Sequence, residues 1–165
     1  MSVVGVPAFT SIQSADLPNS ENLFDSRLDS DMLLRMLNGY FSVAEECAGG
    51  LVRMRWAAGR PRFVLRWPAL TLIAMGKPNF ERSSDTRAVS VAVEGGWLVD
   101  PTWTPRLAIA ITREPGRLRA RVELSEYRPR GGRLAAVRWV YRQTQARVHV
   151  WVGLRYLRRL AREWR

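Results

Sequence analysis

The chain has 165 residues, 47% of them apolar and 25% charged, and a formal net charge of +11. That composition fits one globular domain large enough to bury its own core, and it excludes a disordered chain. One cysteine (Cys47) and one histidine (His149) exclude an intrachain disulfide and a cysteine- or histidine-rich metal site, so no metal or cofactor is expected.

The basic charge is nearly all arginine, with Lys77 the one lysine. Arginine forks pair with carboxylates and phosphates and stack on rings better than lysine does. Residues 1–50 carry a net charge of −5 and the remainder +16. Two consequences are open: the two parts attract each other within the fold, or a basic surface faces an anionic partner. No apolar run approaches the roughly 18–20 residues that span a bilayer. Met1 to Thr10 lacks the basic start and long apolar stretch of a signal peptide, so the expected compartment is cytoplasmic.

Residues 1–22 are polar, with Pro7 and Pro18, and read as a loose arm that at most holds a short strand; residues 23–165 read as the domain. Asp29 or Ser30 is a fitting N-cap for a helix through Met32, Leu33, Met36, Leu37, Tyr40, Phe41 and Ala44, and Gly49-Gly50 ends it. The period then changes to two. Leu51–Trp56 and Arg62–Trp67 form a predicted hairpin with Val52, Met54, Trp56, Phe63, Leu65 and Trp67 on one face. Arg53, Arg55, Arg62 and Arg66 lie on the other. Further strands are expected over 70–75, 87–94, 97–99 and 107–111, with Gly76–Asn79 a turn and Glu81–Asp85 a loop. In the return strand Leu118, Ala120, Val122 and Leu124 alternate with Arg117, Arg119, Arg121 and Glu123.

The terminal segment from Arg133 carries two apolar stripes. Val137, Val140, Tyr141, Thr144, Val148, Trp151 and Val152 fall within about 120° of a helical wheel. Beyond Gly153, Leu154, Tyr156, Leu157, Leu160, Ala161 and Trp164 take nearly the opposite side, and Arg155, Arg158, Arg159 and Arg162 take the first. A helix kinked at Gly153, a continuous helix with a different partner for each stripe, and a strand over 147–152 all accommodate this; spacing favours helix. The expected fold is α+β: one N-terminal helix, a curved antiparallel sheet of about six or seven strands, and a long C-terminal helix across it.

That order of elements from Asp29 to Arg165 resembles the START-like helix-grip superfamily, which includes polyketide cyclase/dehydrase-like and lipid-transfer proteins. The residues carrying the resemblance are Tyr141-Arg142-Gln143-Thr144-Gln145-Ala146-Arg147-Val148-His149 and Arg155-Tyr156-Leu157-Arg158-Arg159-Leu160. Some members place two short helices after the first strand, where this chain shows one. The resemblance implies an apolar ligand held between sheet and terminal helix.

Function is then an expectation with alternatives. The first is binding of a lipid-like or aromatic small molecule, with Trp56, Trp67, Trp97, Trp103, Tyr141 and Trp151 as lining residues, near an anionic membrane. The second is nucleic-acid or acidic-protein binding through arginine faces: Arg53, Arg55, Arg62 and Arg66 on the hairpin, Arg155, Arg158, Arg159 and Arg162 on the helix. A homodimer would also use such rows. No phosphate loop, nucleophile elbow or two-His helix is present, so an enzyme is a third reading, with His149, Tyr141 and Arg142 its first candidates.

Overall fold

The computed structural model describes residues 9–17, 24–25, 28–99, 102–127 and 135–164, with side chains for all of these but 9 and 135–146. Eight strands and two main helices follow in chain order: β1 (Phe9–Leu17), α1 (Ser30–Cys47), β2 (Val52–Ala57), β3 (Arg60–Leu65), β4 (Thr71–Met75), β5 (Asn79–Arg82), β6 (Thr86–Gly95), β7 (Arg106–Glu114), β8 (Arg117–Tyr127) and α2 (Ala135–Glu163). The sheet is antiparallel and unclosed, in the order β1-β8-β7-β6-β4-β3-β2, with β5 also paired to β6. Among the described residues no helix is long and apolar enough to cross a membrane.

The α+β class and the two helices stand as expected, but the strand count is higher. Phe9–Leu17, read as part of a loose arm, is a full strand along β8. Asn79–Arg82, read as turn and loop, is a fully exposed edge strand on β6. Trp97–Val99, expected as a strand, is a turn held by Trp97 N–H to Thr71 O (3.0 Å) and Leu98 N–H to Leu72 O (3.0 Å).

Local chemistry explains the clearest boundaries. Asp29 caps α1, its carboxylate accepting from Met32 N–H at 2.7 Å, and Gly49 and Gly50 turn the chain out at positive φ. Leu33, Met36, Leu37, Tyr40 and Phe41 recur at three and four, and all are buried. The β2–β3 turn places Ala58 and Gly59 at φ 52° and 73°, the left-handed pair that suits a two-residue hairpin.

Period two sorts the central strands. Leu118, Ala120, Val122 and Leu124 share the inner face with Leu107, Ile109 and Ile111 and with Val89 and Val91, all buried beneath the helices. Each fully buried side chain of this size contributes about 1.5–3 kcal/mol by leaving water.

Helix α2 is continuous through Gly153, so the strand reading of 147–152 is corrected. Val152, Tyr156, Leu157 and Leu160 face the body and are buried. Val148 and Trp151, the described part of the first stripe outside Val152, are exposed. Among the described residues the helix therefore buries most of its second stripe, with Leu154 exposed, and Val152 from the first.

Charge asymmetry between the two parts of the chain is partly consumed inside the fold. Asp16 bridges Arg117 and Arg119, Asp25 bridges Arg87 and Arg113, and Glu46 bridges Arg155 and Arg159. Each of these carboxylates comes from the acidic first third and holds two arginines of the remainder.

Candidate functional site

A small polar group lies in the otherwise apolar layer between the sheet and α2. Ser11 and Gln13 are on the inner face of β1, opposite Leu124 and Val122 of β8. Ser11 is buried, and Gln13 Nε2 donates to its Oγ. Above them, α2 presents Gly153, where an added Cβ would run into the Gln13 side chain. The missing side chain at Gly153 is what allows helix and glutamine to approach.

One turn earlier on α2, His149 meets Tyr127 edge-on, with ring centroids 5.7 Å apart. Tyr127 is buried and its hydroxyl donates to Leu98 O at 3.3 Å. Strict alternation from Leu118 would turn Tyr127 outward. A β-bulge prevents this: Ser11 pairs with Leu124 but Phe9 pairs with Tyr127, so β8 holds one extra residue. Glu126 absorbs it at φ 56°. The bulge re-aims Tyr127 under the helix.

His149 is half-buried, and desolvation lowers its pKa from 6.5 to about 4. The ring is neutral at pH 7 and can donate or accept a hydrogen bond, but it carries no charge. Tyr156, also on α2, stacks edge-on against Tyr40 of α1 with centroids 5.6 Å apart. Its buried hydroxyl has no hydrogen-bond partner among the described residues. Burial pushes both tyrosines well above the usual phenol range.

At the opposite end of the sheet the inner face terminates in Arg87 and Arg113. Their guanidinium carbons sit 4.8 and 4.4 Å from the centroid of the buried Phe24 ring, and both pair with Asp25.

The aromatic residues picked from sequence do not converge on this interior. Trp56 sits where β2 meets α1, its indole N–H donating to Asn38 Oδ1 at 3.1 Å and its ring 6.5 Å from Phe41. Trp67 is 87% exposed and Trp97 57% exposed. Backbone pairing puts both at the same end of the sheet, with Leu51 beside Arg66 and Trp97 beside Thr71. Trp103 is half-buried between β6 and β7. Trp151 is 51% exposed on the outer side of α2, with the Arg155 guanidinium 5.7 Å from its ring centroid. The Tyr141 side chain, like that of Arg142, lies outside the described residues.

The arginine sets separate into paired and unpaired. On β8, Arg117, Arg119 and Arg121 are all bridged, by Asp16, Glu114 and Glu123. On α2, Arg155 and Arg159 share Glu46, whereas Arg158 and Arg162 make no ion pair among the described residues. On the hairpin Arg53, Arg55, Arg62 and Arg66 are exposed, and none makes an ion pair among the described residues. Among the described residues no group of three His, Cys, Asp or Glu could hold a metal ion.

Sequence reasoning had singled out His149 but not Ser11, Gln13 or Tyr127. The first two carry no apolar alternation, and the third depends on a bulge. The chain matches no protein-family model and no curated protein sequence.

Proposed function

We propose that this protein binds a lipid-like or aromatic small molecule between its sheet and α2, exchanging it at an anionic membrane surface. The observation that carries this reading is the polar group Ser11, Gln13, Tyr127 and His149 set into the apolar layer beneath α2. Ligand sites combine mostly apolar walls with a few placed polar groups. The buried Tyr156 hydroxyl is a further donor with no partner among the described residues. An antiparallel sheet with α2 packed against β1, β8 and α1 supports the same reading, because the helix-grip resemblance implies a ligand between sheet and terminal helix.

The membrane part rests on the outward side of α2. Val148, Val150, Trp151 and Leu154 are exposed there, with Arg147, Arg158 and Arg162 making no ion pair among the described residues. Apolar anchors with arginines suit an anionic interface, while two copies of this side would repel each other.

Mass spectrometry of an organic extract of the natively purified protein tests the reading. A stoichiometric lipid or aromatic compound is expected, with its occupancy reduced in Tyr156→Phe or His149→Leu. An empty extract, together with no displaceable binding of a fluorescent fatty acid, would overturn it. Co-sedimentation with phosphatidylcholine vesicles, with and without phosphatidylglycerol, tests the membrane part. Binding is expected with the anionic vesicles and should weaken in Trp151→Ala.

A further inference from the structure

Arg53, Arg55, Arg62 and Arg66 stand on the sheet face turned away from α1. The register sets Arg55 directly opposite Arg62, and Arg53 opposite Val64. Met54, Trp56 and Phe63 occupy the other face, where Phe41 of α1 packs on Trp56 and Phe63. Arg60, on the same face as the four, reaches Glu94 at 2.8 Å. Among the described residues the remaining four have no carboxylate partner, and directly opposed like charges weaken a strand pair.

This arrangement contrasts with β8, where every arginine of the row is bridged. The chain has the means to neutralise a row of arginines and does so on one strand but not on the other. An external anion would relieve the opposition of Arg55 and Arg62, since two guanidinium forks can share one phosphate group.

We propose that the outer face of the β2–β3 hairpin binds the phosphodiester backbone of a nucleic acid, with Arg55 and Arg62 as its centre and Arg53 and Arg66 flanking. Three features favour that occupant. Arginines two apart along a strand recur at roughly 6.6 Å, so the face presents a repeating row of charge. Leu51, opposite Arg66, is the one large exposed apolar side chain among the described residues of the hairpin on this face, too little for the apolar core that a protein interface needs or for insertion into a bilayer. The aromatics of the hairpin are on its other face, so contact is with phosphate and not with stacked bases. Binding is therefore insensitive to sequence and steep in salt.

Fluorescence anisotropy with a labelled single-stranded oligonucleotide and with its duplex tests this. Binding at low salt is expected, with a log–log salt slope of about −3 to −4 if all four arginines contact phosphate. Arg55→Gln with Arg62→Gln should weaken binding at least tenfold and bring the slope closer to zero by about two. Arg119→Gln, which removes a bridged arginine, should bind within twofold of the parent. Thermal melting of each variant separates lost binding from lost folding, and Arg53→Gln with Arg66→Gln replaces the first pair should that fail to fold. No binding at low salt, undiminished binding by the Arg55/Arg62 variant, or equal loss in Arg119→Gln would overturn the proposal. So would binding to anionic vesicles alone. None of these outcomes bears on the ligand between sheet and α2, which the extract tests separately.

Discussion

Arg55 and Arg62 face each other directly across the β2–β3 hairpin, and among the described residues neither has an acidic partner. Two cations held at one register position raise the energy of the folded hairpin relative to the unfolded chain, where they separate.

Either Arg55→Gln or Arg62→Gln is therefore expected to stabilise the free protein, by about 0.2–1 kcal/mol in urea unfolding at low ionic strength. Salt should narrow the gain by screening the pair in the parent protein. Arg119→Gln should instead lose a few tenths of a kcal/mol, because its bridges to Asp16 and Glu114 are surface pairs of modest worth. A less stable Arg55→Gln protein would show that the opposition is relieved within the fold.

His149 sets a pH dependence of definite sign. Burial lowers its pKa from 6.5 to about 4, so the folded state resists a proton that the unfolded chain accepts. Stability from this group is complete above pH 6.5, falls as pH drops from about 6.5 to about 4, and changes no further below that. The loss is up to about 3 kcal/mol, an upper value because the ring is half-buried. His149→Gln removes this component, so the difference between the two stability profiles isolates it. An NMR titration of the single imidazole with a midpoint near 6.5 in the folded protein would refute it.

Gly153 and Gln13 are expected to be energetically coupled. Gly153→Ala gains helix propensity of about 1 kcal/mol, but its methyl group displaces the Gln13 side chain that packs there. Alone it should be neutral or slightly destabilising. Combined with Gln13→Ala it should recover most of the helix gain, giving a coupling of about 1 kcal/mol in a double-mutant cycle. Strict additivity would mean that helix and glutamine do not share that space.

Sequence periodicity alone determined α1, the β2–β3 hairpin with its arginine face, and the inner and outer rows of β8. Each of these elements buries one face in a regular way, so burial writes its period into the residue order. Asp29 and the paired glycines after α1 were equally legible, because a cap and a left-handed turn need particular residue types.

Tertiary structure decided the rest. Ser11 and Gln13 are inward but polar, so β1 shows no apolar alternation; β5, fully exposed, has no face to mark. The opposed stripes of α2 were visible, yet only packing put Val152, Tyr156, Leu157 and Leu160 against the body and left Val148, Trp151 and Leu154 exposed. The pairing of Tyr127 with His149 depends on one residue of bulge at Glu126, a shift that reverses a strand's facing without leaving a mark in its composition. Neutralisation of the β8 arginines is in part local, through Glu114 and Glu123, but the bridges from Asp16 to Arg117 and Arg119 join segments far apart in the chain, where distance in space and not order in sequence sets the Coulomb energy.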